Sequence, residues 1–156
     1  NEIVAWKISA RNDLELVMDT LQELMAKRNV YRSIIHSDQG FQYQHRSWRA
    51  LLNDAGAVQS MSRKGNCYDN AVMENFFGHL KEELFHRVRF LNTDALAAQL
   101  REYIGWYNNE RISTKLEGLS PVQYRAQALA AKLLFGSPSF VDQFNISALS
   151  LFLEIL

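Results

Sequence analysis

The chain has 156 residues, 47% of them hydrophobic and 22% charged, the composition of an ordinary globular domain with a core of its own. Seventeen Lys and Arg balance seventeen Asp and Glu, so net charge does not mark the chain as a nucleic-acid binder. A single cysteine, Cys67, excludes an internal disulfide and fits a reducing, cytoplasmic setting; no basic-then-apolar leader opens the chain, and no apolar run reaches the roughly 20 residues that span a membrane.

The chain opens on Asn1-Glu2-Ile3 without Met, which reads as a fragment or a processed product. In "EIVAWKIS" the alternation around Val4, Trp6 and Ile8 predicts a strand. "NDLELVMDTLQELMAKRN" follows, with Leu14, Val17, Leu21 and Leu24 at helical spacing and Asn12 or Asp13 as N-cap. "YRSIIHS" predicts a short strand, "YQHRSWRALLNDAG" a helix stopped by Gly56, and "AVQSMS" a second short strand. "RKGNCYD", residues 63–69, is a polar loop. Three helices follow: "NAVMENFFGHLKEELFHRV" behind Asp69 or Asn70, "NTDALAAQLREYIGWYNNER" behind Asn92 or Thr93, and "SPVQYRAQALAAKLL" with Ser120 as cap and Pro121 at its first position. Strands alternating with helices predict an α/β layer with parallel neighbours. The last stretch, "FGSPSFVDQFNISALSLFLEIL", is apolar, carries a Gly-Ser-Pro-Ser break and fits no obvious element.

Two acidic residues stand out. Asp38 lies in "SIIHSDQGFQYQ", where a strand ends and a glycine turn begins. It is either a turn residue or a carboxylate held at the open end of a sheet for a metal. On the long helix Val72, Met73, Phe76, Phe77, Leu80 and Leu84 are predicted to form one apolar face. Glu74 and Lys81, seven apart, point nearly the same way, with Gly78 between them. The bland reading is a solvated face. Gly78 costs the helix about 1 kcal/mol against Ala, and it leaves room for something to approach closely. Asp38 and Glu74 are separated by 35 residues.

In these motifs the sequence resembles the catalytic cores of insertion-sequence transposases and retroviral integrases, a ribonuclease-H-like α/β fold with a mixed sheet and helices on both faces. "HSDQGFQY" supplies the Asp after a strand, "DNAVMENFFGHLKEEL" the Glu on a helix, Lys81 the base seven residues on, and "YIGWYNNERISTKLEGLSPVQYR" the Tyr-Asn, Arg and Pro-x-x-Tyr block. The resemblance runs from about Asn1 to Ala128. The expected division is a partial integrase core over 1–128 and a tail over 129–156 outside it, of which the part after Ala131 is read as read-through into unrelated sequence.

The resemblance implies a polynucleotidyl transferase that acts in DNA transposition and integration by metal-dependent phosphodiester cleavage and strand transfer. Asp38 and Glu74 are its implied catalytic residues and ligands of Mg²⁺ or Mn²⁺. Two such ions about 3.5–4 Å apart activate the attacking oxygen and stabilise the leaving one, and hard carboxylate oxygens suit them. Lys81, Arg63, Lys64 and Asn66 are the implied DNA contacts. Implied partners are transposon ends and target DNA, with homo-oligomerisation of the full-length protein, nucleoid association when acting, and no membrane.

The family's first Asp lies on its first strand, beside the strand that ends at Asp38. Here "NEIVAW" resembles the third strand, so strands one and two and their Asp are expected to be missing. Asp13 and Asp19 belong to the first helix and cannot substitute. The sheet is then expected to have an open hydrogen-bonding edge, and the chain alone to be inactive in strand transfer. The alternatives are a non-catalytic remnant with weak nucleic-acid binding, a ribonuclease-H-like nuclease that cuts without joining, and a helical protein-interaction domain. His36, sharing a strand face with Asp38, is read as structural. His79 and His86 are read as surface residues, Cys67 as no nucleophile, and Trp48, Trp106 and Tyr107 as core. Many family members have His where Ser113 stands.

Overall fold

The computed structural model describes residues 2–63, 71–86, 89–135 and 143–145. They fall into two compact units, Val4–Gly78 with Val141–Leu156, and Asn1–Ile3 with His79–Phe140.

The first unit begins with α1, Leu14–Lys27. Asp13 caps it, its Oδ1 accepting the Leu16 N–H at 3.1 Å. Val17, Leu21 and Leu24 give it a buried stripe at helical spacing. β1 (Ile34–Ser37) follows, then a helical turn α2 (Phe41–Gln44), α3 (Arg46–Asp54) and β2 (Val58–Met61). One helix was expected over 43–56. His45 splits it, with φ −68° and ψ 144°, and its Nδ1 accepts the Ser47 N–H at 3.2 Å to start α3. Gly56 ends the segment at φ +66°, a left-handed conformation that favours glycine, and an added Cβ would lie 2.5 Å from the Tyr31 ring.

β1 is the middle strand of a three-stranded parallel sheet in the order β2-β1-β3, where β3 is Gln143–Asn145. Ile34 pairs with Val58 on one side and with Gln143 on the other. The C-terminal stretch, expected to form no element, thus contributes a strand, and the edge of β1 away from β2 is occupied. Val17, Leu21, Leu24, Val30, Ile35, Tyr43, Trp48, Leu52 and Ala57 form the core. Trp48 is fully buried and meets Tyr43 edge-on at 5.1 Å.

The N-terminal strand expected from "EIVAWKIS" is not formed. Residues 3–9 are half-buried and irregular. Side chains take over backbone pairing there: the Lys27 ammonium donates to Val4 O at 3.1 Å, while Val4 and Ala5 pack on the core.

α4 (Ala71–Leu80) continues into a π-helical turn, Lys81–Phe85, closed by the His86 N–H on Lys81 O at 3.0 Å. Met73, Phe76, Leu80 and Leu84 are buried as expected, but Val72 is 44% exposed. Val72 lies about 100° around the helix from Met73, off the buried stripe.

In the second unit α5 (Thr93–Asn109) and α6 (Pro121–Phe135) pack together. Asn92 caps α5 through the Ala95 N–H at 2.8 Å. Ser120 and Gln123 form a reciprocal capping box at α6, at 3.3 and 3.0 Å. Leu96, Leu100, Tyr103, Ile104 and Tyr107 are the buried face of α5. Trp106, expected in the core, is 41% exposed instead, because Tyr103 and Tyr107 hold the inward positions on either side of it. The Asn108 amide accepts the Ile3 N–H and donates to Ile3 O, both at 2.9 Å, as a neighbouring strand would. Arg125 donates to Glu2 at 3.2 Å.

Candidate metal and nucleic-acid site

Asp38 follows the last residue of β1, Ser37, which is fully buried. The parallel sheet therefore delivers Asp38 at the carboxyl end of its central strand, half-buried, where ligands of open α/β sheets bind. Its Oδ1 accepts the Gly40 N–H at 2.8 Å, so the carboxylate also builds the turn. Gly40 is held close to it: an added Cβ would lie 3.0 Å from that Oδ1 and 2.8 Å from Gln42 Oε1. The turn role and a ligand role are compatible, since a carboxylate has further lone pairs to offer.

The surroundings of β1 are polar and ordered. The His36 ring bonds the Ser60 hydroxyl through Nδ1 at 2.9 Å and the Ser62 hydroxyl through Nε2 at 3.1 Å. Both ring nitrogens are engaged, which gives His36 a structural role in holding β1 to β2. Gln39 donates to Ser62 O at 2.9 Å and fixes the chain just after Asp38.

Glu74 lies exposed in the first turn of α4, in the same unit as Asp38. The residue types fit a hard divalent cation. Among the described residues, however, no group of three or more His, Cys, Asp or Glu is gathered for a metal. Lys81 is exposed and opens the π turn. Arg63 is exposed at the last described position before the loop. Lys64, Asn66 and Cys67 lie outside the described residues. An added Cβ at Gly78 would meet nothing within 4 Å, so the helix surface there is open.

A second polar cluster, in the other unit, was missed by sequence reasoning. Glu83, in the π turn, takes a bidentate hold from Arg111: Nε lies 3.1 and 3.0 Å from its two oxygens, and Nη2 lies 2.7 Å from Oε1. Tyr103 donates its hydroxyl to Oε2 at 2.9 Å. His79 Nδ1 stands 3.2 Å from Arg111 Nη2, so His79 belongs to this cluster and not to the open surface. The guanidinium also lies 5.5 Å from the Tyr107 ring centre. Partial burial raises the Glu83 carboxyl, but hydrogen bonds from Arg111 and Tyr103 and the Arg111 charge carry it below its usual value. Burial and Glu83 together push the Tyr103 hydroxyl up, which keeps it a donor. The only sequence signal was the spacing of four between His79 and Glu83; the partner Arg111 lies 28 residues further on.

Comparison with known proteins decides the family. Two models, both described as "Integrase core domain", match residues 1–67 and 74–129. The chain belongs to the integrase core family. Its relatives are insertion-sequence transposases and transposase-like proteins. It is 44% identical over 129 residues to an "Uncharacterized transposase-like protein" of Haemophilus influenzae, covering 83% of this chain and 60% of that protein. It is 45% identical over 128 residues to the putative transposase for insertion sequence element IS150 of Escherichia coli K12, covering 81% of this chain and 45% of the other. The transposase for IS904 of Lactococcus lactis is 37% identical over 125 residues, with 79% and 49% covered. The chain spans about half the length of the curated relatives it matches. Among its described residues no helix is long and apolar enough to cross a membrane.

Proposed function

We propose that this chain is a catalytic-core portion of an insertion-sequence transposase, with a ribonuclease-H-like core over 1–128, whose Asp38 and Glu74 hold Mg²⁺ or Mn²⁺ for DNA cleavage and strand transfer. The observation that carries the reading is the placement of Asp38 just beyond the central parallel strand, with Glu74, separated from it by 35 residues, on a helix of the same compact unit. A bound divalent ion would supply Lewis-acid stabilisation of phosphate oxygens. The protein's own part is to hold Asp38 through Gly40 and Gln39 and to present Glu74 on a rigid helix. Arg63, Lys64, Asn66 and Lys81 would neutralise and position the DNA backbone. Partners under this reading are transposon ends, target DNA and further copies of the full-length protein.

Among the described residues no group of three or more His, Cys, Asp or Glu is gathered for a metal. That favours one second reading for the isolated 156-residue chain, a non-joining, weakly DNA-binding core.

Mn²⁺ titration followed by NMR tests the metal site. Amides around Asp38 and Glu74 should broaden selectively, and Asp38→Asn or Glu74→Gln should abolish the broadening with the fold intact. Broadening that survives both substitutions would remove the assignment. Mg²⁺-dependent strand joining by the chain alone would overturn the second reading.

A further inference from the structure

β1 and β2 run parallel, so both strands end on the same side of the sheet. Their paired residues finish at Ser37↔Met61, and one residue further on Asp38 and Ser62 leave the strands side by side. Ser62 is buried, as is Ser37 before Asp38. The Ser62 N–H donates to Ser37 O at 2.8 Å and so continues the ladder by one bond.

Ser62 makes three further contacts that are not ladder bonds. Its hydroxyl donates to Ser37 O at 3.4 Å and lies 3.1 Å from His36 Nε2. A hydroxyl has one hydrogen to give, so His36 Nε2 carries the hydrogen between ring and serine. Ser62 O accepts from the Gln39 side-chain amide at 2.9 Å. The carbonyl before Asp38 and the side chain after it are thus tied to one residue. Between those ties the Ser37 hydroxyl donates to Asp38 O at 3.0 Å, and the Gly40 N–H donates to Asp38 Oδ1 at 2.8 Å. The Asp38 carboxylate therefore keeps its direction only while this turn keeps its shape.

We propose that Ser62 is a positioning residue for Asp38. With His36 behind it and Gln39 across the turn, it clamps the backbone on both sides of Asp38 and so sets how tightly that carboxylate holds a divalent ion. Groups that orient a metal ligand without touching the metal govern affinity in this way. The metal half of the inference rests on the proposed function. The hold on the turn does not, since it concerns hydrogen bonds of the metal-free chain.

Three variants of the full chain test it. Ser62→Ala removes the hydroxyl, Ser62→Thr keeps it, and Gln39→Met keeps the length of an exposed side chain without its donor. Without metal, exchange of the Gly40 amide with water reads the hold on the turn. It should quicken about fivefold in the Ala and Met variants, the loss of one net hydrogen bond. The Val58 amide, bonded to Ser33 O within the ladder, should keep its protection. Unchanged Gly40 exchange in both variants overturns the hold. Mn²⁺ titration, followed by broadening of the amides around Asp38, reads the consequence. Apparent affinity should fall about tenfold in the Ala and Met variants and return in Ser62→Thr. A merely structural role would lower the urea midpoint of Ser62→Ala and leave Mn²⁺ affinity where it was, and that result overturns the positioning role. So does a threonine variant as weak as the alanine one. Should Ser62→Ala unfold, Gln39→Met decides, and parental Mn²⁺ affinity in that variant overturns the proposal. If the unsubstituted chain itself shows no broadening at Asp38, the metal reading of Asp38 fails, and Gly40 exchange alone decides the hold.

Discussion

Glu83 keeps its charge against partial burial because Arg111 and Tyr103 aim three donor groups at it. Its folded pKa is depressed, so the stability it adds is fully present above the ordinary carboxylate value, about 4.3. That stability is lost as pH falls through the lower folded value. Glu83→Gln is expected to cost about 1.5–3 kcal/mol at neutral pH, the range for hydrogen bonds to charged groups. The deficit should shrink as the parent's carboxyl protonates. Urea unfolding of both chains at pH 7 and at pH 3 checks this; an equal deficit at both pH values would show that the charge on Glu83 adds nothing. The sequence showed Arg111 only as one letter of a family block. A contact across 28 residues has no local periodicity, and this is why the cluster escaped a reading based on spacing. Asp38 was legible because its signal is local: a β-branched pair, then an acid, then Gly40 two residues on, the grammar of a strand that ends in an Asx turn.

Among the elements, helices with a capping side chain and a stripe of apolar residues follow the sequence closely. Asp13, Asn92 and Ser120 all cap where the residue type says they should. "EIVAWKIS" does not. Its alternation satisfies the strand pattern, but a strand also needs a neighbouring backbone. Here Asn108 and Lys27 supply the pairing from side chains, which no pattern within eight residues can reveal. The π turn after α4 was equally hidden, because Met73, Phe76, Leu80 and Leu84 fit the helical period up to and through it. Gly78 separates two interpretations of that helix. An added methyl group meets nothing within 4 Å, so Gly78→Ala should stabilise the protein by about 0.5–1 kcal/mol. Thermal unfolding checks the gain. Under the proposed function the same methyl stands between Glu74 and Lys81, and DNA affinity should fall as stability rises. A stabilised variant with unchanged DNA affinity would assign Gly78 to a plain solvated face.

On the scale of the whole molecule, equal numbers of acidic and basic residues leave no general attraction for DNA. Any binding must come from a local group of bases. Arg63, Lys64 and Lys81 are the basic candidates, and about three phosphate contacts give a slope of log K against log salt near −2.7 on duplex DNA. Under the proposed function that would be a weak interaction. Arg63→Ala and Lys81→Ala should each reduce the slope by about 0.9. Lys115→Ala, in the exposed turn between α5 and α6, should leave it unchanged. Fluorescence anisotropy of a labelled duplex between low and moderate salt reads all four chains. If Lys115→Ala flattens the slope as much as Lys81→Ala does, the attraction is diffuse and the assigned bases carry no site. If Lys81→Ala alone flattens it, the DNA path follows the helix that bears Glu74, the carboxylate proposed here to hold the metal.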